Sequence, residues 1–245
     1  MSLQLSSCLA TGVLLLAANC VGQTTLIVAA ASDLTDLEAP LASSFGKIAP
    51  DLHIKWVTAS SAILAQQIQH GAPYDVFLSA NAQYVDRLQA AGKLDASFVA
   101  PYAVGRIAIL WRGGKHHAIS DLGKDWVRFV ALPNPKLAPY GVAAQQALEH
   151  AGIWTAVRPK IVYGENVRQT LQLFESGNAD AVITSDSLLQ GKDPQLIPAD
   201  WHKPILQKAG IVTGSRNAEA ARKFFAFLRG SGGQAVFAKF GFGRP

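Results

Sequence analysis

Cysteine is nearly absent from this sequence. The 245 residues hold two, Cys8 and Cys20, both inside the first 20 positions. From Thr24 onward there is none, which excludes a disulfide, a thiolate nucleophile and a Cys-ligated metal in that part of the chain. Charge is also sparse, at 16% of residues. The net charge is +5, yet Lys and Arg are scattered, with no basic run and no basic–aromatic cluster, so nucleic acid is not an expected partner. Long hydrophobic runs are missing too. The longest, Cys8–Cys20, spans 13 residues, short of the roughly 20 a membrane-spanning helix needs. It lies within an uncharged leader, residues 1–23, and suits the h-region of an export signal, although no Lys or Arg precedes it. Cleavage after Gly22 fits this reading. Acylation at Cys20, giving a lipid-anchored form, is the alternative.

Enzyme signatures are equally scarce. H-E-x-x-H, G-x-S-x-G and G-x-x-x-x-G-K-[ST] do not occur. None of the six histidines has metal-ligand spacing, and His116-His117 are adjacent in a Gly- and Lys-rich loop. Catalysis, and any cofactor, is therefore not expected.

Hydrophobic residues make up 49% of the chain, ample for a sizeable core. They fall into alternating runs. Thr25–Ala31, Leu52–Thr58 and Asp75–Leu78 read as short strands, each followed by residues at helical spacing, such as Leu34, Leu37, Leu41 and Phe45. After an interruption at Pro101-Tyr102 and a strand at Gly105–Trp111, the pattern restarts. Strands at Phe129–Leu132, Lys160–Tyr163 and Ala179–Thr184 enclose helices at Val142–Ala151 and Val167–Glu175. Residues after Gly191 read as loop, Pro204–Val212 as extended, and Ala218–Leu228 and Gly233–Phe240 as closing helices. The fold class is α/β with parallel or mixed sheets flanked by helices, in two lobes.

Four turn-to-helix junctions carry the chemistry: Ser32, Ser61, Tyr140 and Val167. At the carboxyl ends of strands, such junctions present free backbone N–H groups where ligands of α/β sheets bind. A helix N-terminus attracts anions, and several facing one cleft would hold a small anion without Lys or Arg. Taken singly, each has a plainer reading: Ser32 and Ser61 as helix caps, Tyr140 as a rim aromatic, Val167 as core. Asp33 and Asp36 read as surface residues favoured by the helix dipole, since a carboxylate beside the anion would repel it.

The segments AAASDL (Ala29–Leu34), ASSAILAQQI (Ala59–Ile68), GAPYDVFLSA (Gly71–Ala80), NPKLAPYGVAA (Asn134–Ala144) and GENVRQTLQLFESGNAD (Gly164–Asp180) resemble the periplasmic molybdate-binding proteins of ABC transporters. The resemblance spans nearly all of the chain after the leader. It implies a class II-type periplasmic binding fold that closes on molybdate or tungstate and delivers it to an inner-membrane permease. It also implies a monomer in the periplasm and no cofactor. Carried over residue by residue, it assigns the anion to Ser32, Ser61, Tyr140 and the backbone of Val167. Many members have a fifth ligand, a tyrosine, where Ser185 stands here. The implied division is lobe I at 24–102 and 208–245, and lobe II at 103–207. Competing expectations are a binder of sulfate, thiosulfate or phosphate and, from another class, a secreted α/β hydrolase.

Overall fold

The computed structural model describes residues 24–245. The export-signal and lipidation expectations, with Cys8 and Cys20, lie outside the described residues.

Among the described residues, ten strands form two five-stranded sheets. The first contains β1 (Thr24–Ala31), β2 (Leu52–Ala59), β3 (Val76–Ser79), β4 (Leu94–Gly105) and β10 (Ile205–Val212), in the order β2-β1-β3-β10-β4. β1 pairs in parallel with β2 and β3, and β10 runs antiparallel to both its neighbours. The second sheet contains β5 (Ile107–Trp111), β6 (Val130–Pro133), β7 (Ile161–Gly164), β8 (Ala181–Ser185) and β9 (Gln195–Leu196), in the order β7-β6-β8-β5-β9. Sheet membership therefore changes between Gly105 and Ile107, and again between Leu196 and Ile205. Each sheet with its helices makes one lobe.

The helices follow the expected units, with the short α5 as an addition: α1 (Glu38–Gly46), α2 (Ser61–Gln69), α3 (Ala82–Ala90), α4 (Pro139–His150), α5 (Trp154–Val157), α6 (Val167–Glu175), α7 (Ala218–Arg229) and α8 (Ser231–Lys239). The lobe I core interleaves the sheet with α1, α7 and α8. Leu26 and Val28 on β1, Leu37, Leu41 and Phe45, and Phe224 and Leu228 are all buried there. Phe45 meets Phe224 edge-on at 5.1 Å between ring centroids, a geometry that suits the quadrupoles of the two rings.

Two local expectations need correction. The first helix opens as a 3-10 segment, Ser32–Leu37, before α1 begins. Pro101-Tyr102 does not interrupt the chain but lies inside the 12-residue β4. Proline has no N–H to give a ladder, and two features accommodate it. β4 is an edge strand, and its pairing with β10 shifts register between Gln207 and Lys208, opposite Pro101.

Candidate functional site

At the carboxyl end of β1 the chain turns directly into the 3-10 segment that starts at Ser32, so the opening N–H groups of that segment lack intrahelical acceptors. The carboxyl end of β2 does the same for α2. Ser60 is its N-cap, its hydroxyl accepting from Ile63 N. That cap takes up the third amide and leaves those of Ser61 and Ala62 free. The Ser61 hydroxyl accepts from the backbone N–H of Ala80 at 3.0 Å, tying the loop to the end of β3. As an acceptor in that bond, Ser61 keeps its own hydroxyl hydrogen to donate elsewhere.

Lobe II supplies the opposite wall. α4 opens with Pro139, which has no N–H, followed by Tyr140. Gly141 is required there, because a Cβ would stand 2.8 Å from Pro135 N and overlap the β6 turn. α6 opens at Val167 with Asn166 as its cap, accepting from Gln169 N at 2.9 Å, so the amides of Val167 and Arg168 stay free. Ser185 ends β8. Ser32, Ser61, Tyr140, Val167 and Ser185 are all at most 5% exposed.

The two walls meet. Ala31 and Ala80 of lobe I share one apolar cluster with Tyr140, Val167 and Leu188 of lobe II. The Ser187 hydroxyl donates to the carbonyl of Asp33 at 2.6 Å across the seam. Its single hydrogen being committed, the 2.8 Å contact between Ser185 and Ser187 has Ser185 as donor. Thr184 steadies the base of α6 by donating to Val167 O at 3.0 Å. At the rim, Arg168 of lobe II stands 3.6 Å from Asp36 of lobe I, both about two-fifths exposed. The geometry is that of a shut cleft.

Asp33 overturns its surface expectation. It is 1% exposed, and one carboxyl oxygen, Oδ2, accepts from Tyr140 Oη at 2.7 Å and from Gln207 Nε2. Gln207 Nε2 also reaches Tyr140 Oη at 2.9 Å, and Gln207 Oε1 accepts from Tyr102 Oη at 2.5 Å. The other carboxyl oxygen, Oδ1, is buried without a partner. Burial pushes the Asp33 carboxyl up from 3.8 to about 6, against the opposing pull of the Tyr140 and Gln207 bonds. Both phenols are driven well above their usual range, first by burial and then by the Asp33 charge. The Tyr140 hydroxyl is therefore engaged with the interlobe network, and the group it leaves free is its backbone N–H.

Gly105, the last residue of β4, completes this corner. A Cβ there would overlap the Tyr140 hydroxyl and stand 3.2 Å from Gln207 Nε2. Sequence reading missed Tyr102, Gln207, Ser187 and Gly105. Only Gln207 carried a signal, as a lone amide within the largely apolar run Ile205–Val212.

A separate cleft of 580 Å³ lies in lobe I, lined by Tyr74, Asp75, Lys93, Arg216 and neighbours. Its buried carboxylate, Asp75, is fully engaged by Ile27 N, Ser215 Oγ and Asn217 Nδ2, which makes it a clasp between β1 and the turn that follows β10.

A family model described as bacterial extracellular solute-binding protein matches residues 26–243. The molybdate-binding protein ModA of Azotobacter vinelandii is 33% identical over 228 residues, covering 88% of each chain. That of Haemophilus influenzae is 30% identical over 226 residues, again covering 88% of each. Among solved structures, the periplasmic molybdate-binding protein of A. vinelandii superposes with a TM-score of 0.83 at 27% identity, over 90% of this chain and 99% of that one.

Proposed function

Because the chain belongs to the bacterial extracellular solute-binding proteins, we propose that it captures molybdate or tungstate between its two lobes and delivers the anion to an inner-membrane ABC permease. It does so as a periplasmic monomer, without catalysis or a cofactor, after the leader is removed. Lobe I is 24–105 with 205–245 and lobe II the residues between them, three residues away from the expected crossings at 102 and 208 because all of β4 and β10 belong to the first sheet. The anion is held by Ser32 and Ser61 from the first and by Tyr140, Val167 and Ser185 from the second.

The observation that carries this reading is the convergence of free helix-start amides from both lobes on one buried seam, with no Lys or Arg among the five assigned residues. Aligned amides and dipoles each contribute on the order of 1 kcal/mol to holding negative charge, and more in a dry cleft. A fully ionised tetrahedral dianion needs only hydrogen-bond donors around it, and the Ser61 hydroxyl with the free amides at Ser61, Tyr140 and Val167 supplies them, whereas Ser185, whose hydroxyl donates to Ser187, contributes one only by turning from that bond. The mechanism is closure. The anion binds the shut form better than the open one, so it shifts the population towards the arrangement it bridges.

One observation favours a competing oxyanion. The bare Oδ1 of Asp33, if ionised, would accept a hydrogen from a protonated anion such as hydrogen phosphate. A thermal-shift screen of the purified protein against molybdate, tungstate, sulfate, thiosulfate and phosphate separates the two readings. Saturation at 100 times Kd stabilises the folded state by about 2.7 kcal/mol, which moves the midpoint visibly. Shifts with molybdate and tungstate alone support the proposal, and a shift with phosphate alone refutes it.

A further inference from the structure

Among the described residues, Asp33 is the acidic side chain buried to 1% exposure, and the anion-capture reading gives it no role. We propose that its carboxyl is a positioning residue for closure. It takes up a proton from solvent as the lobes shut, and in that form it fastens Tyr140 of lobe II to lobe I, with Gln207 of β10, in one buried hydrogen-bonded chain. This inference rests on the anion-capture reading for its ligand but not for its geometry.

The surroundings favour the neutral acid: the carboxyl is buried, and its two side-chain partners, Tyr140 and Gln207, are uncharged. Oδ2 accepts both donors, so a hydrogen on Oδ1 disturbs neither bond; it finds no acceptor of its own, a smaller cost than a bare buried charge. An ionised group in this position would leave a charged oxygen buried and bare, which is costly. Among the described residues no cation compensates it. α4 presents Tyr140, β4 presents Tyr102 and β10 presents Gln207. The turn Asp186–Leu188, joined to Asp33 through Ser187, carries Asp186, whose own carboxyl is raised by burial and opposed by Arg106. On α6 the nearby cation, Arg168, faces Asp36 at the rim. Burial raises the Asp33 carboxyl to about 6 in this closed arrangement. Opening removes Tyr140 and Ser187 from it and admits water, which returns it towards its ordinary 3.8. The sign follows. A carboxyl raised in the closed form favours closure once it is protonated, so closure strengthens as pH falls through 6 and weakens above it. A dianion entering the same seam adds negative charge and draws the proton in further.

Calorimetric titration with molybdate at pH 6, in two buffers of different ionisation enthalpy, reads the proton directly. The wild type should take up about half a proton per anion at pH 6, and its affinity should rise about fourfold from pH 7.5 to 5.5. Asp33→Asn keeps the side-chain shape and an oxygen that accepts from Tyr140 and Gln207 but cannot titrate. It should bind molybdate with no uptake at Asp33 and with the fourfold trend removed. Wild-type binding without proton uptake overturns the proposal, as does undiminished uptake in the Asn variant. Small-angle X-ray scattering of the anion-free protein judges the latch by itself. The radius of gyration should fall from pH 7.5 to 5.5 in the wild type and not in Asp33→Asn, and an unchanged wild type overturns the latch. Failure of molybdate to bind at any pH, with that scattering change present, overturns the anion reading alone.

Discussion

Replacing Tyr140 by Phe removes one oxygen and leaves the ring in place. The ring is packed in the lobe II core at 1% exposure, so the substitution opens no large cavity. The oxygen donates to Asp33 Oδ2 at 2.7 Å and accepts from Gln207 Nε2 at 2.9 Å, so its loss strips Asp33 of one of two donors. A buried hydrogen bond to a charged or strongly polar group is worth roughly 2–3 kcal/mol when one partner is deleted. Both bonds cross from Tyr140 of lobe II to lobe I, whose sheet includes β10, so the loss falls on the closed form. The expected result is molybdate affinity lower by about 30- to 150-fold. The urea-unfolding free energy of the anion-free protein should fall by less. Gly105→Ala makes the same point from the other side, because its Cβ would overlap that hydroxyl. In the Tyr140→Phe background the clash is partly relieved, and a double-mutant cycle should show a coupling of about 0.5 kcal/mol or more. Isothermal calorimetry on the four proteins measures all of this. Unchanged affinity in Tyr140→Phe would refute the argument that the interlobe network holds the closed state, and strict additivity with Gly105→Ala would refute the proposed contact.

Ser61→Ala deletes the hydroxyl assigned to the anion and the acceptor for Ala80 N, and should weaken molybdate binding by roughly 1.5–3 kcal/mol. An unaltered calorimetric Kd would remove Ser61 from the site. Arg168→Ala breaks an exposed pair with Asp36 and should change affinity by about 1 kcal/mol or less, with an effect that fades in high salt. A loss of about 3 kcal/mol that persists in high salt would mean that Arg168 touches the anion. Phe224→Ala, at a position with no exposed surface in the lobe I core, should cost about 3–5 kcal/mol in denaturant unfolding while leaving the Kd of the folded fraction close to wild type. A smaller stability loss would show that the ring cluster of Phe45, Phe224 and Phe227 is not central to that core.

Periodicity exposed the strand–turn–helix units because strands such as Val76–Ser79 are buried on both faces and their helices carry apolar stripes. The same reasoning put free amides at Ser61 and Val167, since a cap residue before an apolar run is a local event. β4 escaped it, because Pro101 reads as a breaker until the strand is known to lie at a sheet edge. Asp33 escaped it more thoroughly. By local rules an acidic residue in the first turn of a helix belongs at the surface. What buries it is Tyr140, 107 residues away, and Gln207, 174 residues away. No window of sequence contains that contact. The backbone of the site was legible, and the side-chain network across the seam was not.

The central claim is that molybdate sits between the lobes. A crystal structure of the molybdate complex, with the metal located by its anomalous scattering, tests it most directly. The account predicts one molybdenum position per chain, with its oxygens within hydrogen-bond reach of Ser32, Ser61, Tyr140, Val167 and Ser185. A molybdenum atom in the lobe I cleft beside Lys93 and Arg216, or none at all in a soaked crystal, would contradict it.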